Sequence, residues 1–361
     1  MVYWLVLFFL LLLIGLNRQI IRYGGGKSST IEGRKVYIAI ATVILVLITG
    51  LRGIQVGMDT RMYNTLFQFM QGMSSFSQAM NSWQSGHVEI GYALSEYLFA
   101  KYSNFQTFLF VMGMLSIIPV MMMIYRDSKN FWMSIFLYIA FGYFSFTMNA
   151  IRQSVAMGFC IIAYIYAKKK KIIPYFAFVI LAMAFHQSAI IFLPVYWLPK
   201  IRFTKKTLLV YFILLLIANL FKSQFFSIVN LWGRQTYAVT EDAGGVRMYF
   251  FMLISIAIVY LFRNDFIAAA PEENTTLLTM LAVATLIWPI ASANAAIFRL
   301  YYYYHIFIVF CIPAFLYHLK NRKLKYLFTA FFLLVGIYCL QVYVIGGNLK
   351  YDPIIFFWQQ G

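Results

Sequence analysis

The chain has 361 residues, of which 63% are hydrophobic, 20% aromatic and only 11% charged; its mean hydropathy is +0.77. A soluble domain carries about 25% charged residues, so the composition excludes an ordinary water-soluble enzyme. It predicts an all-α polytopic membrane bundle. The net charge of +18 does not indicate nucleic acid, because Lys and Arg fall in short loops between apolar runs, where they set membrane topology.

A helix of about 20 apolar residues crosses the hydrocarbon core, and tilted or shorter spans are tolerated. On that measure the candidate spans are 1–17, 35–51, 105–125, 131–148, 150–167, 172–186, 189–199, 207–222, 247–262, 274–292, 297–318 and 325–345. This predicts a single integral membrane domain over 1–361 with about 11–13 transmembrane helices. The stretch Met1–Asn17 lacks a basic leading region and a small-residue cleavage site, so it reads as a retained span rather than a signal peptide. Segment 189–199 is bracketed by Pro194 and Pro199 and is too short to cross alone. It predicts half of a broken or re-entrant helix, buried by its neighbours.

Orientation follows from the basic residues. Of the 29 Lys and Arg, 20 fall in one set of loops, around Arg18–Lys35, Arg126–Lys129, Lys168–Lys171, Lys200–Lys206, Arg263 and Lys320–Lys325. The positive-inside rule makes that set cytoplasmic and puts both termini outside. Two long connections, 52–104 and 223–246, then lie on the outer side. In the first, Ile90, Leu94, Tyr97 and Leu98 share one helical face and Glu89, Tyr92 and Glu96 another. Segment 88–102 therefore predicts an amphipathic helix at the outer interface.

The few charges near apolar segments also fall on the outer side: Arg52, Asp59, Glu89, Arg152, His186 and Arg299. Charge there is costly, so a one-sided set indicates a reaction or binding site. Arg52 and Arg61 flank Asp59 in LRGIQVGMDTRMY, followed by Tyr63. Two guanidiniums could grip phosphate oxygens in bidentate fashion, although a juxtamembrane anchor with a glycine turn has the same spacing. Helical spacing puts Asn149, Arg152 and Gln153 on one face. An outer Arg152 opposes the positive-inside tendency, and an ion pair with Asp59 or Glu89 is the competing explanation. His186 ends an apolar helix before Gln187 and Ser188; a buried hydrogen-bonding histidine is the bland alternative to a catalyst. Arg299 precedes Tyr302 and Tyr303, which suit either sugar rings or an interfacial aromatic belt.

Other chemistries find no support in the sequence. There is no phosphate-binding glycine loop, no serine elbow and no HExxH spacing. Cys160, Cys311 and Cys339 are isolated in apolar stretches and read as core residues. Nothing calls for a metal or another cofactor.

Four motifs in this order resemble the EpsG family, the Wzy-like polymerases of bacterial exopolysaccharide, capsule and O-antigen clusters. They are R-G-x(3)-G-x-D-x(3)-Y at Arg52–Tyr63, E-x-G-Y at Glu89–Tyr92, N-x-I-R-Q at Asn149–Gln153 and F-H-x-S-A at Phe185–Ala189. Beyond residue 200 the likeness is mainly one of hydropathy. The resemblance implies a glycosyltransferase in the bacterial cytoplasmic membrane with its site facing outward. Its substrate would be an undecaprenyl-diphosphate-linked oligosaccharide, with a flippase and a chain-length regulator as partners. On that footing Arg52, Arg152 and Arg299 are expected to bind diphosphate. His186, Glu89 or Asp59 would serve the acceptor hydroxyl, and Tyr63, Tyr92, Asn149, Gln153, Tyr302 and Tyr303 would contact substrate. A lipid-linked oligosaccharide transporter and an O-antigen ligase-like transferase stay open as alternatives. Against transport, the charges cluster at one membrane face and no internal repeat is evident.

Overall fold

The computed structural model describes residues 3–13, 27–82, 89–201, 204–225, 227, 246–292 and 298–345. Most of the predicted loop 223–246, the Arg18 and Arg22 cluster and the tail after 345 lie outside the described residues. Among the described residues every regular element is a helix. In chain order they are α1 (Tyr3–Leu13), α2 (Lys27–Gly50), α3 (Thr60–Gly72), α4 (Phe76–Ser82), α5 (Ile90–Tyr102) and α6 (Phe105–Asp127). Next come α7 (Phe131–Ala140), α8 (Tyr143–Asn149), α9 (Ile151–Lys168), α10 (Ile172–Phe185), a 3₁₀ segment Gln187–Lys200 and α11 (Lys205–Leu220). The rest are α12 (Val246–Leu261), α13 (Arg263–Ala269), α14 (Pro271–Ala291), a 3₁₀ turn Phe298–Tyr301, α15 (Tyr302–His305), α16 (Ile308–His318), α17 (Arg322–Cys339) and a π-helical end Leu340–Ile345.

Among the described residues, five helical stretches are long and apolar enough to cross a membrane: Gly33–Gly50, Phe105–Asp127, Pro271–Ala291, Arg299–His318 and Arg322–Val342. Two bent pairs raise the number to seven: α7 with α8, at 47°, and α12 with α13, at 74°. Several sequence-predicted spans are therefore present as shorter or more polar helices. The stretch 172–186 is the 14-residue α10, and 150–167 is α9, which carries Arg152 and Gln153 at one end and Lys168 at the other. The short apolar 189–199 falls in the 3₁₀ segment, with both prolines inside it. Proline cannot donate to a helical ladder, which fits an irregular helix packed against α9, α10 and α14.

The outer helices turn large apolar side chains away from the protein: Val36, Val43 and Leu47 on α2, Leu209, Val210 and Phe212 on α11, Leu327 and Leu334 on α17. Patches of that extent on a water-soluble protein would be sticky; on this one they are the lipid face. The interior holds α8, α15 and α16, with buried polar groups such as Ser134, Ser145 and Thr279 bonded to carbonyls. Small residues let helices approach closely. A Cβ on Gly158 of α9 would meet the Leu115 carbonyl oxygen of α6 at 2.3 Å, and one on Gly113 would meet Thr49 of α2 at 2.8 Å.

The bend between α7 and α8 rests on Gly142, whose φ of +82° lies in the left-handed region. A second break at Ala150 separates α8 from α9. These breaks put Asn149, Arg152 and Gln153 at a corner of the chain. Sixteen residues further along α9, about 24 Å away at 1.5 Å per residue, Lys168 contacts Asp127 at 3.1 Å and Glu273 at 2.7 Å. Lys170 pairs with Glu272 at that same end. The Lys-rich end and the Arg152 end of the bundle are thus opposite.

Candidate functional site

The site starts at two close approaches. Gly57, with φ +100°, turns the chain after α2; a Cβ there would meet the Met148 carbonyl oxygen at 2.2 Å. The turn lets the Met58 N–H donate to Asn149 Oδ1 at 2.9 Å and leaves Asp59 at the start of α3. Gly91 does the same for α5, since a Cβ would lie 2.8 Å from the Ala184 carbonyl oxygen. That contact sets Glu89, just before α5, against the end of α10. Gly91→Val is expected to push α5 off α10 and lower stability by about 1–3 kcal/mol, measurable as a drop in the detergent melting temperature.

Glu89 is the hub of the site. Its Oε2 accepts from Arg152 Nη1 at 2.9 Å. Its Oε1 accepts from His186 Nδ1 and from the Gln187 backbone N–H, both at 2.9 Å. Burial alone would raise this carboxyl, but the hydrogen bond and charge of His186, the charge of Arg152 and the Gln187 amide together hold it down to about 2. Glu89 is thus a carboxylate at neutral pH, so the Nδ1 facing it carries the proton. In the neutral tautomer that keeps this Nδ1 proton, Nε2 of His186 is the acceptor. Helix α10 ends at His186, which is extended, with φ −157° and ψ 115°; that break turns the Gln187 amide toward Glu89.

A second ion pair joins Arg299 Nη1 to Asp59 Oδ2 at 3.6 Å, with the two side chains about one-third exposed (32% and 31%). Arg299 lies over the Phe146 ring at 5.8 Å, and its carbonyl accepts from Gln153 Nε2 at 2.9 Å. Tyr63 links the two pairs. Arg152 donates a hydrogen bond to its hydroxyl, and the charges of both Asp59 and Arg299 act on it. The structure therefore brings Asp59, Tyr63, Glu89, Arg152, Gln153, His186 and Arg299 to one place. Asp59 meets Arg299 rather than Arg61 or Arg52 from its own loop.

Other sequence candidates lie deeper. Arg52 is 1% exposed and donates to the Thr49 carbonyl. Burial pulls its guanidinium down to about 10, offset in part by Tyr3, Tyr63 and Tyr92. It stays charged, but underneath those phenols. Tyr92 donates to Glu96 Oε1 at 3.2 Å, Tyr303 is within 3.0 Å of Ser188 Oγ, and Asn149 is committed to Met58 and to the Ser145 carbonyl. Of the six expected substrate contacts all but Tyr302 are buried. Phe146 and the Gln187 amide were not anticipated. The amide has no side-chain signature, and Phe146 is one of many aromatics in an apolar run.

The EpsG family model matches residues 35–354. The chain belongs to the EpsG family. This EpsG membership, with the apolar helices, makes it a multi-pass membrane protein and suggests a Wzy-like polysaccharide polymerase of glycosyltransferase type. The family match spans both ion pairs of the site. No curated protein and no solved structure matches the chain.

Proposed function

We propose that this EpsG-family protein joins undecaprenyl-diphosphate-linked oligosaccharide repeat units at the outer face of the bacterial cytoplasmic membrane, building exopolysaccharide, capsule or O-antigen. The bond from the anomeric carbon of the growing glycan to its diphosphate oxygen breaks, and a bond to an acceptor hydroxyl of the next lipid-linked unit forms. His186 Nε2 takes the hydroxyl proton while Glu89 holds the ring through Nδ1, as an orienting carboxylate does in other base–acid dyads. Arg152 and Arg299 neutralise the departing diphosphate, for which paired guanidiniums are well suited. Arg52 adds positive field from below the phenols.

The observation that carries this reading is the Glu89–His186–Arg152 cluster beside the loose Arg299–Asp59 pair. It offers an oriented base and two cations at one end of the bundle. The opposite end carries Lys168 and Lys170, and the positive-inside rule supports placing that end in the cytoplasm. The diphosphate leaving group brings its own energy, so no nucleotide is needed.

The test uses purified protein in liposomes with lipid-linked repeat units extracted from a strain lacking the polymerase gene. A ladder of polymer lengths is expected. A single transfer to another acceptor would indicate a ligase, and translocation without bond formation a transporter; either overturns the reading. His186→Gln is expected to cut the ladder by about 10²–10⁴-fold at unchanged protein level, and an unaltered ladder would remove His186 from the mechanism.

A further inference from the structure

Glu96 is an acid that the transfer reaction leaves unused. It lies one turn beyond Tyr92 on α5, whose faces are reversed relative to a soluble helix. Ile90, Leu94 and Leu98 point outward, while Tyr92, Ala93, Glu96 and Ala100 are buried. Glu96 is 0% exposed. Its Oε1 accepts from the Tyr92 hydroxyl at 3.2 Å, and its Oε2 is buried without a hydrogen-bond partner. The ring of that same Tyr92 lies 5.8 Å from the Arg152 guanidinium and 5.7 Å from the Tyr63 ring.

We propose that Glu96 is a positioning residue: through the Tyr92 hydroxyl it fixes the phenol beside which Arg152 lies, and so holds Arg152 in register with Glu89. The inference rests on the polymerase reading. The neutral acid does this without drawing Arg152 away from Glu89. An ionised Glu96 would be a second buried anion acting on Arg152, in competition with Glu89. Burial favours the neutral form and pushes Glu96 up to about 8, against the opposing pull of the Tyr92 hydrogen bond and the Arg152 charge. The groups that act on Glu96 are Tyr92 from its own helix and Arg152 from α9; Tyr63 of α3 reaches Tyr92. Because the folded value lies above the ordinary carboxylate value of 4.5, folding favours the protonated acid. The stability this confers declines as pH climbs from 4.5, and the ordered form is lost as pH passes about 8.

The experiment is the pH profile of polymer formation in the same liposomes, with kcat and KM separated. Wild-type kcat is expected to fall about tenfold per pH unit above the Glu96 value. Glu96→Gln, the isosteric mimic of the neutral acid, should retain activity below that value and lack the alkaline fall. Glu96→Ala should lose kcat at every pH. An alkaline fall that survives unchanged in Glu96→Gln overturns the inference and leaves the polymerase reading standing. Should Glu96→Gln not accumulate, Tyr92→Phe decides: loss of the hydroxyl cuts the link to Glu96, so kcat should drop at every pH as in Glu96→Ala and lose its alkaline fall, and a Tyr92→Phe protein with the wild-type kcat and alkaline fall overturns the role. Wild-type protein that makes no polymer at any pH overturns the polymerase reading and takes the Glu96 role with it.

Discussion

Glu89→Gln is expected to reduce polymer formation by about 10²-fold or more while the protein still reaches the membrane. Gln keeps the shape of Glu89, so it can still accept from the Gln187 amide and from His186 Nδ1. What disappears is the negative charge that Arg152 and His186 share. Arg152 would lose its carboxylate within a largely buried setting, where an unpaired charge costs about 3–5 kcal/mol, and the His186 ring would lose the anion that complements its imidazolium form. The same carboxyl gives a pH test of stability. Glu89 is held down to about 2 against an ordinary 4.5, so its contribution is fully present above 4.5 and is lost as pH falls toward 2. Acid melting curves of wild type and Glu89→Gln in detergent should therefore converge as the pH is lowered. Curves that stay parallel across that range, together with a full-length ladder from Glu89→Gln at pH 7, would remove Glu89 from the centre of the site.

The membrane class and much of the site were legible in the sequence because burying charge is expensive. Glu89, expected as a possible partner of Arg152, is the one the structure shows at 2.9 Å. Which helix face points inward was not legible. In a membrane helix both faces are apolar, so the periodicity that marks the core of a soluble protein marks lipid here as readily. Helix α5 shows this: its aliphatic stripe is exposed and its Tyr92–Glu96 face is buried. Tyr63, Tyr92 and Asn149 were expected substrate contacts because the family motifs carry them; motif membership says nothing of burial, and their side chains are enclosed. The pairing of Asp59 with Arg299 joins residues from opposite ends of the chain, and no spacing rule reaches that far. The bend at Gly142 was hidden as well, because an apolar run reads the same whether it is straight or broken; the one between α12 and α13 falls where the span 247–262 was expected to end.

The two arginines make the sharper test of diphosphate binding because their structural burdens differ. Arg152→Ala strands the buried Glu89 carboxylate, so lost activity would be mixed with lost stability. Arg299 is different. Its contact with Asp59 is 3.6 Å long and about one-third exposed, and ion pairs of that kind contribute only about 0–1 kcal/mol. Arg299→Ala is therefore expected to leave the melting temperature almost unchanged and to cut polymer formation by about 10²–10³-fold. Arg299→Lys should recover only part of the loss, since a point charge cannot grip two phosphate oxygens in a planar fork. If both arginines hold one diphosphate, the Arg152→Ala and Arg299→Ala effects on kcat should be less than additive when combined. A stable Arg299→Ala protein that still extends long polymer would show that the leaving group is neutralised elsewhere, and the role proposed for this end of the bundle would fail with it.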